Sequence, residues 1–219
     1  MKKPVIEILF RDEFFVAVNK PALFPVHETA DPLRPHVQGL LEAQLGEKLV
    51  LFHRLDLETT GVLLFGRNDE INRSVTEMFR DREMQKTYWT VVDGRWLEEW
   101  AQIRTYISKK GGGRWQNIPK GKGGDLAVSR FRVLKSSGEK SWLEVKPETG
   151  RTHQIRLHCI EKNHAVLGDK LYGRAHPRGV PMALHAKTLS FTHPITKKEL
   201  SISATPPDYW KEFWLKGLQ

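Results

Sequence analysis

Short apolar runs alternate with polar turns along most of the 219-residue chain. VIEILF and FFVAVNK flank the turn residues 11–13 and predict a β-hairpin. KLVLF and GVLLFGR predict two buried strands with HRLDLETT as the loop between them, whereas the proline-rich NKPALFPVHETADPLRP predicts a loop. Further strands are predicted for KTYWTVVDG, LAVSRFRVLK, SWLEVKP, MALHAKTLSFTHP and ELSISAT.

Four stretches have the spacing of amphipathic helices. HVQGLLEAQLG ends at Gly46, and TGRTHQIRLHCIEKN is expected to be N-capped by Thr149 or Thr152. The other two helices are predicted for DEINRSVTEMFRDREM and PPDYWKEFWLKGL. Strands outnumber helices and turns join most strand pairs, which predicts an α+β fold. We expect a largely antiparallel mixed β-sheet with flanking helices and loops, in a single domain over residues 1–219.

Residues 101–124 differ from the rest in holding six Lys or Arg, no acid and six glycines. This composition predicts a mobile basic loop that contacts phosphates, with Trp115 free to stack on a base. A surface loop without a specific role is the alternative. The cations concerned are Lys109, Lys110, Arg114, Lys120 and Lys122.

The formal net charge of +9 favours a polyanionic partner, namely RNA, DNA or an anionic membrane. No apolar stretch approaches the roughly 20 residues that span a bilayer, and the N-terminus lacks the apolar core of a signal peptide. Cys159 is the single cysteine, so an intramolecular disulfide is excluded and a core thiol is expected. Cytoplasm is the expected location.

Asp56 lies in the loop between the two buried strands and allows two interpretations. In the first, its carboxylate is satisfied locally by Thr59, Thr60 or backbone N–H groups, as loop aspartates usually are. In the second, it is a partly buried catalytic carboxylate, which needs a cation from elsewhere in the chain to stay ionised. Arg151 and Arg156 are candidate cations near the start of a predicted helix.

Other candidate residues also have structural alternatives. Tyr88 is either a core strand residue or a ring that stacks on a flipped base and handles a proton. His153, His158 and His164 are spaced five and six residues apart, which does not place three imidazoles on one helical face. We therefore predict no metal site.

Four blocks taken in order resemble the RluA family of pseudouridine synthases. They are NKPALFPVH, HRLDLETTG, QKTYWTVVDG, and TGRTHQIRLH followed by HAVLGDKLYG. The match covers roughly residues 7 to 206. Leu23 stands where the family usually has glycine, and Thr60 where it has serine. The S4-like RNA-binding domain of many relatives is expected to be missing, so the domain's own loops would choose the RNA.

The resemblance implies an enzyme that isomerises uridine to pseudouridine in tRNA or ribosomal RNA without metal or organic cofactor. Asp56 takes the position of the catalytic aspartate, Arg156 that of its basic partner, and Tyr88 that of the tyrosine that stacks on uracil. Ile155 takes the place of an apolar residue beside that tyrosine, and Arg54 that of an arginine that fills the space left by the flipped nucleotide. His53, Thr60 and Arg151 are further predicted RNA contacts. A monomer is expected.

Two other functions are compatible with these residues. A non-catalytic RNA-binding or assembly factor would retain the fold, but phosphate binding requires no buried acid. A nucleoside hydrolase or glycosylase would need a second carboxylate to activate water, and Glu148 and Asp169 are the nearby candidates.

Overall fold

The computed structural model describes residues 4–68, 70–176 and 178–214. The chain divides into two compact units. The first unit comprises Met1–Lys86 and Ala186–Pro207, and the second comprises Thr87–His185 and Asp208–Gln219. Two compact units can belong to one domain or form two. The predicted single domain over residues 1–219 therefore stays a prediction. In the described part, no helix has the length and apolar character needed to cross a membrane.

Eleven strands, four α-helices and one short 3₁₀-helix, Asp208–Trp210, make up the regular structure of the described residues. The strands are β1 Glu7–Arg11, β2 Phe15–Lys20, β3 Val50–Leu51, β4 Thr60–Gly66, β5 Gln85–Asp93, β6 Trp100–Gly111, β7 Arg114–Ile118, β8 Asp125–Ser136, β9 Lys140–Pro147, β10 Leu184–Thr192 and β11 Glu199–Ser203. The helices are α1 Val37–Leu45, α2 Asn72–Arg80, α3 Gln154–Glu161 and α4 Lys211–Trp214.

The first unit pairs β1 with β2, β2 and β3 with β4, and β10 with β11, all antiparallel. Strand β4 is buried along its whole length, as its continuous apolar sequence predicts. Phe15, Leu64 and Val75 are fully buried in one core that joins the sheet to α2. Helix α1 ends at Gly46, whose left-handed conformation closes the last turn. The predicted N-terminal hairpin and α1 are thus confirmed.

The second unit is an antiparallel sheet in the order β5-β9-β8-β6-β7. Helix α3 is buried on nearly all sides and contributes Ile155 and Cys159 to a core with Phe131 and Val145. Few helices and antiparallel pairing confirm the predicted α+β fold, and the burial of Cys159 confirms that it is a core thiol. Burial, and to a smaller extent the carboxylate of Asp169, raises the pKa of this thiol above its usual value.

The prediction of a basic loop at 101–124 is wrong. Most of this segment forms β6 and β7, which pair as a hairpin around three glycines with positive φ, while β6 also pairs with β8. Trp115 packs beside Ile107 and Leu157, so its side chain is not free to stack on a base. Asn117 fastens the hairpin to α3 by donating to the carbonyl of Leu157 at 3.1 Å.

One helix terminus also differs from the sequence prediction. Helix α3 is preceded by His153 in a left-handed conformation with φ of 58°, without a side-chain cap. Neither predicted threonine caps the helix: the Thr149 hydroxyl instead donates to Gln154 Oε1 at 2.6 Å and accepts from the N–H of Val128. The C-terminal helix is described only to Trp214, so the rest of its predicted span lies outside the described residues.

Candidate active site

The loop that carries Asp56 joins β3 to β4 in the first unit and is fixed beside the aspartate. The Leu57 carbonyl accepts hydrogen bonds from the N–H of Leu23 at 2.9 Å and from Lys20 Nζ at 3.1 Å. The N–H of Thr59 donates to the carbonyl of Asp56 at 3.1 Å, which closes a turn. The half-buried Asp56 carboxylate therefore stands on a restrained backbone.

One close backbone approach and one left-handed residue position this loop. Gly61 has φ of 107°, and a Cβ there would lie 2.2 Å from the carbonyl oxygen of Ala186, so only glycine fits. Leu23 has φ of 67°, the left-handed region where the related family usually has glycine. A leucine there costs about 1–2 kcal/mol of backbone strain.

Lys20 is a fully buried cation next to the loop, and no pattern in the sequence pointed to it. Its ammonium donates to the carbonyls of Pro21 at 2.9 Å and Leu57 at 3.1 Å. Burial lowers the pKa of Lys20 to about 7, while the negative charge of Asp56 acts in the opposite direction. Lys20 is therefore a clamp on the loop and a titratable amine whose charge interacts with the candidate catalytic carboxylate.

His53, at the start of the same loop, accepts a hydrogen bond at Nε2 from the N–H of Leu64 at 3.1 Å. Its ring lies 5.1 Å from the ring of Phe79, and Lys86 Nζ lies 4.7 Å from the centroid of Phe79. Burial, with a smaller contribution from Lys86, lowers the pKa of His53 to about 3. The imidazole is therefore neutral at pH 7.

Tyr88 lies in β5, opposite Val145 of β9, in the second unit. Its half-buried side chain packs against a core cluster that includes Ile155 and Val145. The structure thus places Tyr88 and Ile155 at one cluster.

Arg156 projects from α3 and is almost fully buried. Its Nε donates to Asp169 Oδ2 at 2.7 Å, and Nη2 donates to Asp169 Oδ1 at 2.8 Å. Asp169 Oδ1 also accepts from the N–H groups of Leu171 and Tyr172 at 2.9 and 3.1 Å. Burial acts to raise the pKa of Asp169, but Arg156 and the two N–H groups outweigh it and hold the pKa below its usual value. This pair fixes the guanidinium plane.

Tyr172 links Arg156 to the β6–β7 hairpin. Its ring centroid lies 4.9 Å from the guanidinium carbon of Arg156. Its hydroxyl accepts from the N–H of Trp115 at 2.8 Å and lies 2.8 Å from His153 Nδ1. The hairpin, the start of α3 and the guanidinium thus meet at one phenol.

The start of α3 is set by the buried Gln154. Its Nε2 donates to the Val128 carbonyl at 2.9 Å and to the Ser129 hydroxyl at 2.8 Å. Its Oε1 accepts from the N–H of Arg151 at 3.0 Å. These bonds attach the helix to β8 and so determine where Arg156 lies along the sheet.

The remaining predicted RNA contacts fall into two groups. Thr60 is buried. Arg54 is exposed on the Asp56 loop, and Arg151 is exposed at the start of α3, where it donates to the carbonyl of Leu126. The exposed cations of the hairpin and the turn after it are Lys109, Lys110, Arg114, Lys120 and Lys122. Across the described ranges, no three His, Cys, Asp or Glu side chains group as metal ligands.

Residues 14–161 match the family model described as RNA pseudouridylate synthase. The chain belongs to the RNA pseudouridylate synthase family. Members isomerise uridine to pseudouridine within RNA, and this chain is an enzyme of that class.

Individual relatives extend the match over nearly the whole chain. The tRNA pseudouridine synthase C of Vibrio parahaemolyticus is 32% identical, over 96% of this chain and 94% of the relative. The dual-specificity RNA pseudouridine synthase RluA of Pasteurella multocida is 32% identical, over 93% of this chain and 94% of the relative. The structure of human RNA pseudouridylate synthase domain containing 4 superposes with a TM-score of 0.76 at 26% identity, over 93% of this chain and 90% of that one.

Three residues that hold the candidate groups are not predicted to do so from the sequence: Lys20 in the first unit, and Asp169 and Tyr172 in the second. Lys20 and Tyr172 lie within the family blocks without a predicted function, and Asp169 was considered only as a second acid. The spacing of Asp169 and Tyr172 carried a usable signal, because an aspartate oxygen commonly accepts from N–H groups two and three residues ahead. No comparable signal marks Lys20, whose burial follows from tertiary packing.

Proposed function

We propose that the chain converts one or a few uridines of structured tRNA or ribosomal RNA to pseudouridine, with Asp56 as the catalytic carboxylate. The observation that carries this assignment is the restrained loop between β3 and β4. It presents a half-buried aspartate beside the buried ammonium of Lys20. A carboxylate held in a fixed place beside a basic group suits nucleophilic or electrostatic catalysis.

The reaction breaks the N1–C1′ bond of uridine, rotates the uracil and forms a C5–C1′ bond. Asp56 acts on C1′ or on C6 of the base, or stabilises the sugar cation, and these three roles remain alternatives. Tyr88 stacks on the uracil and assists removal of the C5 proton, while N1 gains a proton. The half-buried ring of Tyr88 beside Ile155 supports the stacking role.

Arg156 is proposed as the basic partner that orients Asp56. The support is its position in the family motif and the bidentate pair with Asp169, which fixes the guanidinium. We propose RNA-phosphate contacts for Arg54, Arg151 and the hairpin cations, and substrate contacts for His53 and Thr60. The target base must leave its stack, at a cost of a few kcal/mol, which phosphate contacts offset in part.

A hydrolase would need a second carboxylate to activate water, and the two candidates, Asp169 and Glu148, are both bonded to other side chains. Asp169 already accepts four hydrogen bonds, two of them from Arg156. Glu148 pairs with Arg130 at 2.6 Å and accepts from Gln102 at 3.1 Å. Both carboxylates are thus engaged with protein donors, which disfavours either as the base for water, and no observation favours a non-catalytic RNA-binding factor.

The proposal extends to the substrate and the setting. The names of the Vibrio and Pasteurella relatives support tRNA, or more than one RNA, as the substrate class. A stem-loop recognised by shape and a few splayed bases suits the basic hairpin. We propose that the enzyme acts as a monomer in the cytoplasm.

Incubation with unmodified tRNA and ribosomal RNA followed by pseudouridine mapping tests the proposal. We expect one or a few sites to be converted by wild type and none by Asp56→Ala. Glu58→Ala, two residues along the same loop, serves as the matched control and should retain conversion. If the wild-type protein binds RNA tightly but converts no uridine, the proposed activity is wrong and an RNA-binding factor is the better interpretation.

A further inference from the structure

Among the described residues Lys86 has no acidic partner, and its setting disfavours its charge. Its Nζ lies over the ring of Phe79, 4.7 Å from the centroid, and burial lowers the pKa of Lys86 to about 8. Within residues 4–68, 70–176 and 178–214, the Lys86 side chain makes neither a hydrogen bond nor an ion pair. The aromatic face is thus the stabilising contact of the ammonium among the described residues.

The surroundings of Lys86 supply no negative charge from the described residues. His53, which packs on the same Phe79 ring, is neutral at pH 7 because burial lowers its pKa to about 3. A cation over an aromatic face gains about 0.5–2 kcal/mol, which does not replace the hydration lost on burial. A methionine or leucine would fill the same space without that cost.

Lys20 provides an internal contrast to Lys86. It is fully buried, and two backbone carbonyls accept from its ammonium. The Lys20 ammonium is therefore bonded within the protein, whereas the Lys86 side chain is half-buried and donates to no described residue. Donors held on an aromatic platform fit a ligand oxygen that carries negative charge.

We propose that Lys86, held on Phe79, is a binding site for one phosphodiester of the substrate RNA. The inference rests on the proposed RNA function and adds a residue to which no substrate contact has been assigned. The ring of Phe79 also packs on His53, which precedes Arg54 on the Asp56 loop. One phosphate bound at Lys86 would therefore anchor the RNA backbone at the part of the first unit that carries the catalytic loop.

The test measures the affinity of the full chain for unfractionated bacterial tRNA over a series of salt concentrations. Loss of one phosphate contact reduces the slope of log affinity against log salt by about 0.7–0.9. We expect Lys86→Met to show this reduction and about tenfold weaker binding near physiological salt. Lys86→Arg should restore the wild-type slope. Lys198→Met, at an exposed lysine of the same unit, should leave the slope unchanged.

The outcomes separate this inference from the function on which it rests. Thermal unfolding confirms that each variant is folded, and Lys86→Met is expected to be at least as stable as wild type. A folded Lys86→Met protein with an unchanged slope, while wild type converts RNA, would overturn the phosphate site and leave the proposed function intact. A wild-type protein that neither binds nor converts RNA would overturn both.

Discussion

The two units hold their buried cations in opposite ways. In the first unit, Lys20 donates to backbone carbonyls and Lys86 rests on an aromatic ring, and burial lowers the pKa of both ammonium groups. In the second unit, Arg156 is locked by two hydrogen bonds to Asp169. A locked guanidinium keeps both its charge and its direction, whereas the charge of each lysine depends on what lies near it. The second unit thus holds a cation of fixed orientation, and the first holds cations that respond to their surroundings.

The largest expected effect comes from breaking the locked pair. Arg156→Ala should reduce turnover by more than about 100-fold, because the group proposed to orient Asp56 is lost. The sequence alone predicted that this variant keeps its fold largely intact. The structure changes that expectation: Asp169 would be left buried and unpaired, at a cost of about 3–5 kcal/mol in the free energy of unfolding.

Denaturant unfolding and single-turnover conversion of tRNA measure the two effects separately. Arg130→Ala is the matched control, since Arg130 pairs with Glu148 on an exposed part of the same sheet. A surface pair of this kind contributes about 0–1 kcal/mol. Near-normal turnover by a folded Arg156→Ala protein would remove the proposed role of Arg156.

A smaller effect is expected from replacing Lys20 with methionine. The pKa of Lys20 is about 7 in the folded protein and near 10.5 when unfolded, so the unfolded chain binds the extra proton between these values. Wild-type stability should therefore rise with pH from about 7 to 10.5, and that contribution is lost as the pH falls through 7. Lys20→Met should flatten the rise relative to wild type.

Urea unfolding at several pH values checks this prediction, with Lys48→Met as the control because the Lys48 side chain is 94% exposed. The difference between variant and wild type removes the shared contribution of Lys86, which titrates in the same range. Parallel stability curves for wild type and Lys20→Met would show that burial does not lower the Lys20 pKa.

The smallest effect concerns the phenol that links the hairpin to Arg156. Tyr172→Phe keeps the ring beside the guanidinium but leaves the Trp115 N–H without its acceptor, at a cost of about 1–3 kcal/mol. Turnover should fall about tenfold with little change in RNA affinity. Tyr106→Phe is the control, since its hydroxyl makes no hydrogen bond to the described residues. Equal turnover by the two variants would contradict the link.

Sequence patterns predicted the elements whose apolar residues follow a local period. The first hairpin, α1 and the buried β4 are examples, because their alternation, caps and continuous apolar runs are local properties. The prediction of a loop for residues 101–124 was wrong because the glycines and lysines of this segment have the composition of a loop. Its β structure depends on pairing with β8 and on packing of Trp115 near Leu157, which are long-range contacts.

The candidate site likewise has a part that the sequence predicted and a part that depends on long-range contacts. Family blocks supplied Asp56, Tyr88 and Arg156 as candidates, and the structure places Tyr88 and Ile155 at one core cluster. The surroundings of these groups were not predictable. That Lys20 is buried beside the Asp56 loop, and that Asp169 holds Arg156, follow from tertiary packing and not from any spacing in the chain.

Isomerisation has a chemical signature that tests the central role of Asp56 most directly. Forming the C5–C1′ bond expels the hydrogen at C5, so RNA carrying tritium at C5 of its uridines should release tritium into water. We expect wild type to release tritium in a one-to-one ratio with the pseudouridine formed, and Asp56→Asn to release none. Undiminished release by a folded Asp56→Asn protein, or liberation of free uracil by wild type, would contradict the catalytic role of Asp56 in isomerisation.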